Sequence, residues 1–250
     1  LECIGQGTER SEDTLKSLFP NTTILRVDRD TTRRKLAMKE LLSEVNKGNP
    51  CVLIGTQMLA KGHHFPNVTL VGILDADGGL FSPDFRAPEK MGQLITQVAG
   101  RSGRGQKPGT VILQSNYCDH PFISSLINND YKGFSEEIFR ERKLAQLPPY
   151  SYMANVRSEA ADTEVAIEFL RHCRQRAECL LPAAPGISYL GPLPAIMERR
   201  SGRFRHVLSI YCIDRQKLQK LIEKLCLEVE VLHIAKRVRW SVDVDPQDMS

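Results

Sequence analysis

Gln97, Arg101 and Arg104 stand four and three residues apart in the run Thr96-Gln97-Val98-Ala99-Gly100-Arg101-Ser102-Gly103-Arg104. On a helix those spacings bring one amide and two guanidinium groups onto one face. Guanidinium groups held that way suit a phosphate whose negative charge grows during transfer. Gly100 and Gly103 lower helix propensity, and close approach of the backbone to a ligand or a neighbouring element is the usual reason for such glycines. Taken alone, the run reads equally well as a short, solvated Gly/Arg turn.

It does not stand alone. Upstream lies Val52-Leu53-Ile54-Gly55-Thr56-Gln57-Met58-Leu59-Ala60-Lys61-Gly62-His63-His64-Phe65-Pro66, followed by an apolar run from Val68 to Leu74 and then Asp75. An apolar strand ending in Gly-Thr, a loop with Lys-Gly and a second strand ending in Asp form a coherent α/β unit. In open α/β sheets ligands bind just past the strand ends, where Thr56, Lys61 and Asp75 fall. No G-x-x-x-x-G-K-[ST] phosphate loop occurs anywhere in the chain, and Gly5-Gln6-Gly7 is too short and lacks the lysine.

The elements that must position these residues read as follows. Residues 8–147 hold helix-like segments at 9–19, 33–47, 89–102, 120–129 and 133–146, and strands at 23–27, 51–55, 69–75 and 109–114. Strands alternating with helices predict a mostly parallel sheet covered on both faces. Val52-Leu53-Ile54 and Leu70 to Leu74 have the continuous apolar character of strands buried on both faces. Asp28-Arg29-Asp30-Thr31-Thr32 reads as a helix cap before Arg33. Leu147-Pro148-Pro149 marks a boundary, because two prolines cannot continue a helix. Residues 148–250 then read as a smaller α+β domain: strand 150–157, helix 162–180, strands 187–191 and 205–212, helix 214–228, strand 236–243. That order is the split β-α-β pattern. Arg199-Arg200-Ser201-Gly202-Arg203-Phe204-Arg205 sits at the turn before its third strand. Arginines around a glycine and an aromatic ring suit a DNA backbone and a stacked base; a solvated basic hairpin is the plainer reading.

The segments GTQMLAKGHHFPNVTLVGILDADGG and MGQLITQVAGRSGR resemble motifs V and VI of superfamily 2 helicases. Their wording, with CIGQGTER and RVDRDTTRRK upstream and LPPYSY, LGPLPA and WSVDVDP downstream, is similar to the primosomal protein N′ family of replication-restart helicases. The resemblance covers essentially the whole chain. It implies a RecA-like second helicase lobe over residues 1–147 and a small S10-like domain over 148–250. It implies ATP and Mg²⁺ bound jointly with another lobe, with Arg104 as the arginine finger, Arg101 beside it, and Gln97, Gly62 and His64 near the nucleotide. Many superfamily 2 proteins have Gly-x-Asp where this chain has Gly62-His63-His64, the aspartate contacting the ribose, and His64 takes its place. Thr56 and Gln57 carry over as DNA-backbone contacts, Lys61 as a DNA-backbone or lobe-interface contact, and Arg200, Arg203 and Arg205 are the candidate DNA contacts of the second domain. Asp75-Ala76-Asp77-Gly78 is not read as the magnesium site.

Further implications are Zn²⁺ only in an insertion upstream of Leu1, forked and single-stranded DNA as partners, and primosome proteins and single-stranded-DNA-binding protein as further partners. The expected activity of the whole protein is ATP-dependent 3′–5′ DNA unwinding at stalled forks that initiates primosome assembly. The chain itself, without a phosphate loop and without an initiator Met, reads as a fragment that does not hydrolyse ATP. Alternatives are another superfamily 2 repair helicase such as UvrB, which has no counterpart to LPPYSY and LGPLPA, or a DNA-binding or docking module that works without ATP.

Composition is compatible with all of these. Lys and Arg number 34 against 30 Asp and Glu, a net charge of +4, mildly basic as nucleic-acid partners allow. No apolar run approaches the roughly 20 residues of a membrane helix, and no secretory signal is present, so the expected location is cytoplasmic. Seven cysteines without any C-x-x-C pair read as buried free thiols. His172, Cys173 and Cys179 have poor spacing for zinc, and no metal ligand is assigned.

Overall fold

The computed structural model describes residues 8–27, 41, 43–45, 47–55, 68–99, 109–128, 130–247 and 249. The chain divides into two compact units, Leu1–Ser82 with Arg86–Ser135, and Pro83–Phe85 with Glu136–Ser250.

In the first unit, helix α1 (Thr8–Leu18) precedes strand β1 (Thr23–Val27), which pairs in parallel with β2 (Cys51–Gly55) from Thr23↔Cys51 to Val27↔Gly55. Arg26 of β1 reaches back to Glu12 of α1 at 3.3 Å. Residues 41 and 43–45 are helical; the rest of the helix expected over 33–47, and the cap expected at Asp28 to Thr32, lie outside the described residues. Strand β3 (Leu70–Ile73) pairs in parallel with β4 (Thr110–Leu113). Between them come a four-residue helix that the sequence did not announce, α2 (Asp77–Leu80), and α3 (Ala87–Ala99). On α3, Met91, Gly92 and Ile95 share the buried stripe, as spacings of three and four residues require. Helix α4 (Pro121–Ile127) starts with proline in its first turn, and the His120 side chain accepts a hydrogen bond from the Phe122 amide at 3.3 Å. Phe122 meets Phe134 of α5 (Tyr131–Leu144) edge-on, with ring centroids 5.6 Å apart. Gly92 is where α3 lies against Phe134: a Cβ at that position would sit 2.2 Å from the ring.

One expectation about this unit is overturned. Strands β2 and β3 are not buried on both faces. Cys51 to Ile54 are half-buried, while Leu70, Gly72 and Leu74 are exposed and Val71 and Ile73 half-buried. Each described sheet here has only two strands. One face of the β3–β4 pair therefore carries its apolar residues outward.

In the second unit, Arg142 of α5 lies 5.1 Å from the centre of the Phe85 ring and donates to the Phe85 carbonyl at 3.4 Å, which ties Pro83–Phe85 to this unit. The backbone leaves helical geometry by Gln146 (φ 52°), just ahead of Pro148-Pro149. Next follow β5 (Tyr152–Ala160), α6 (Thr163–Leu180), β6 (Ile187–Arg200), β7 (Arg203–Cys212), α7 (Arg215–Glu230), a 3-10 turn (His233–Arg237) and β8 (Arg239–Val244). Asp162 caps α6 by accepting from the Glu164 amide, and Asp214 caps α7 by accepting from the amides of Gln216 and Lys217, each satisfying first-turn donors that have no partner within the helix. The sheet is antiparallel throughout, in the order β6-β7-β5-β8. The split β-α-β pattern is therefore realised.

Alternate residues of the sheet face the two helices. Ala154, Val156 and Ala160 of β5 join Leu208, Ile210 and Cys212 of β7 in one core with Phe169, Leu170, Leu221 and Leu225. Burying a large apolar side chain of this kind contributes about 1.5–3 kcal/mol. The sole tryptophan, Trp240, packs on Phe169 with ring centroids 5.8 Å apart. Cys173 and Cys212 are buried, and burial pushes the Cys173 thiol up to about 12. Cys118 and Cys179 are exposed, so the expectation of buried thiols fails for these two, Cys179 lying off the inward face of α6; Cys51 and Cys226 are half-buried, and Cys3 lies outside the described residues. No helix among the described residues is long and apolar enough to cross a membrane.

Candidate nucleic-acid interface

The β6–β7 connection gathers several arginines on one surface. Ser201 (φ 50°) and Gly202 (φ 77°) both adopt left-handed backbone, the requirement of a two-residue hairpin whose twist matches its strands. The turn sets Arg200 directly opposite Arg203 and Arg199 opposite Phe204. The arginine cluster is therefore not one turn, as the sequence suggested. Strand β6 runs on to Arg200, and the cluster is split between two strands and two faces.

Leu208, Ile210 and Cys212 of β7 point to the helices, so Arg203 and Arg205 lie on the opposite face. On that face Arg205 is level with Glu159 of β5, and Glu159 is level with Arg239 of β8. Arg205 Nε donates to Glu159 Oε1 at 2.9 Å, with the Arg205 side chain 11% exposed. Its guanidinium is held inward. Arg200, Arg203 and Arg239, with Ser201 and Glu159, line a solvent-open concavity of about 280 Å³. On the helix side of the hairpin the Arg199 guanidinium lies 5.1 Å from the centre of the Phe204 ring, a cation–π arrangement. Of the three arginines expected to contact DNA here, the structure brings Arg200 and Arg203 to one site and commits Arg205 to an ion pair. Sequence reading missed Arg239 and Glu159, because only strand order makes residues 36 positions beyond Arg203 and 44 before it its neighbours.

Beside this site His206 is 4% exposed, and its Nδ1 has no hydrogen-bond partner among the described residues. Burial lowers its pKa below the ordinary 6.5, opposed in part by Glu198 and Glu164.

In the first unit Gln97 lies exposed in the last turn of α3. Arg101, Arg104, Thr56, Gln57, Lys61, Gly62 and His64 lie outside the described residues. The neighbouring acids are engaged locally. Asp75 (φ 57°) accepts from the Gly78 amide at 3.2 Å. Asp77 accepts from Ser115 Oγ at 2.5 Å and from the Asn116 amide and Nδ2 at 2.9 and 2.8 Å. The Ser115 hydroxyl, then the Asn116 amide, hold its carboxyl below the ordinary 3.8. These bonds clip the β3–α2 connection to the end of β4. Among the described residues no three His, Cys, Asp or Glu side chains form a metal-binding group.

Comparison with known proteins places both units. The helicase conserved C-terminal domain matches residues 4–106, and the primosomal protein N C-terminal domain matches residues 143–247. The replication restart protein PriA of Haemophilus influenzae is 42% identical over 250 residues, all of this chain and 34% of that protein. The Bacillus subtilis protein of the same name is 38% identical over 252 residues, all of this chain and 31% of that protein. That of Chlamydia pneumoniae is 47% identical over 251 residues, 98% of this chain and 32% of that protein. The chain thus spans about a third of the length of the curated relatives it matches. With a RecA-like helicase lobe, an antiparallel α+β domain and similarity running the length of the chain, it belongs to the replication restart protein PriA family.

Proposed function

We propose that this chain supplies the second motor lobe (residues 1–147) and a DNA-binding domain (residues 148–250) of an ATP-dependent 3′–5′ DNA helicase that acts at stalled or branched forks and starts primosome assembly. Family membership supports the motor, and the observation that carries DNA binding is the concavity at the β6–β7 hairpin. There, Arg200, Arg203 and Arg239 have no ion-pair partner among the described residues, while Arg157, Arg174, Arg176 and Arg205 are each paired with a carboxylate. Unpaired guanidinium groups gathered on one open face bind a phosphate backbone at low desolvation cost.

For the motor, ATP supplies the phosphoryl group whose hydrolysis drives movement. It would sit between another lobe and this one, with Mg²⁺ held from the other side. Of the residues assigned to it, Gln97 is exposed at a helix end where a nucleotide can reach it. Arg104 supplies the finger, Arg101 its neighbour, and Gly62 and His64 the nucleotide edge. Thr56, Gln57 and Lys61 hold the DNA backbone. The chain by itself does not turn over ATP. Zn²⁺, single-stranded-DNA-binding protein and primosome proteins belong to the whole assembly in this reading.

The test is DNA-stimulated ATP hydrolysis by the whole protein, wild type beside Arg104→Ala, with DNA binding measured in parallel. Loss of a finger costs roughly a thousandfold in turnover, and DNA affinity should be unchanged. Unchanged turnover would make the Gly/Arg segment structural and sink the motor assignment.

A further inference from the structure

We propose that Arg239 joins Arg200 and Arg203 in one phosphate-backbone cradle, and that Glu159 limits the cradle's strength by holding Arg205 away from it. The inference rests on the DNA-binding reading above and assigns its residues. All four strands meet at this end of the sheet: β6 ends at Arg200, β7 begins at Arg203, β5 passes Glu159 and β8 begins at Arg239. Neighbouring strands lie about 4.8 Å apart, so the row from β6 to β8 is about 15 Å wide. Such a row tracks several phosphates of one strand, which carries a charge about every 3.4 Å of helix axis. A polyanion therefore fits it better than a single phosphate ion. Within the concavity three guanidinium groups share one carboxylate, and Glu159 Oε1 already accepts from Arg205 Nε. Glu159 thus removes a fourth arginine from the surface and places a negative charge beside the path of the backbone.

The experiment is the salt dependence of affinity for a fluorescein-labelled duplex, using the full chain. Neutralising one phosphate fewer lowers the slope of log K against log salt by about one. Arg239→Gln should lower it by that amount and Arg239→Lys should restore it, as Arg200→Gln and Arg203→Gln also lower it. Glu159→Gln should tighten binding and steepen the slope. In the unaltered chain, bound duplex should shield Arg239 from phenylglyoxal, whereas inorganic phosphate at matched ionic strength should not. If Arg200→Gln and Arg203→Gln lower the slope while Arg239→Gln does not, or if Arg239 stays reactive under DNA, the cradle is overturned and the DNA-binding reading survives. If none of the three arginines moves the slope, this face does not bind DNA and both fall. Weaker or unchanged binding by Glu159→Gln overturns the limiting role of that carboxylate.

Discussion

Leu70 of β3 and Leu208 of β7 are the same residue in the same kind of element, yet one is 60% exposed and the other fully buried. The difference lies in what covers each strand. Strand β7 is an inner strand of a four-stranded sheet with α6 and α7 laid over one face. Strand β3 belongs to a parallel pair whose outer face carries Leu70 and Ile112 outward, each more than half exposed. Parallel strands are normally covered on both sides. The comparison teaches that apolar content does not measure core: the second unit concentrates its buried side chains in one continuous cluster, while the first packs α3 and α4 around Phe134. Local opening should begin in the first.

The same truncation in both strands separates these cases most sharply. Leu208→Ala should cost about 2–5 kcal/mol, the range for emptying a packed site, read by denaturant unfolding followed through Trp240 fluorescence. Leu70→Ala should stay within about 0.5 kcal/mol, read by circular dichroism. Equal costs would erase the contrast. Next in size is Gly92→Ala. A helix gains about 1 kcal/mol when alanine replaces glycine, but the new Cβ would meet Phe134 at 2.2 Å. Overpacking costs about 1–3 kcal/mol, so the first unit should lose stability. Faster amide exchange in α3 with unchanged Trp240 unfolding is expected, and slower exchange would show that the α3–Phe134 packing yields freely.

The smallest effect is the pH response of the second unit. Burial lowers the pKa of His206 in the folded chain below 6.5. Between the folded and unfolded values the unfolded chain binds more protons, so stability rises with pH. The contribution is complete above about 6.5 and is lost as pH falls toward the lowered folded value. A Trp240-monitored titration should show stability declining on acidification through that window, and His206→Leu should flatten it. A decline of the same steepness in His206→Leu would assign it to the carboxylates instead.

Much of the second unit was legible in sequence, because its signals are local. The helices read at 162–180 and 214–228 start at the residues that the structure makes the caps of α6 and α7, Asp162 and Asp214, and the order strand-helix-strand-strand-helix-strand appears with boundaries close to those observed. Length was the exception: β6 continues past Pro192 and Pro194 to Arg200, because an edge strand tolerates prolines that an inner strand does not. In the first unit the four-residue α2 was invisible, having no room for a periodic pattern. The outward faces of β3 and β4 were misread, because an apolar run says nothing about which neighbours arrive to cover it.

The candidate site divides in the same way. By type and local spacing alone, the sequence determined an arginine-rich hairpin, since Ser201-Gly202 can turn and the arginines flank it. It also determined the family, since the motifs are contiguous strings. Tertiary structure alone decided which arginines act together. Pairing β7 with β5 gave Arg205 to Glu159, and pairing β5 with β8 brought Arg239 alongside. Strand register is set by the packing of whole faces against α6 and α7, a property of distant segments that no single stretch of residues encodes.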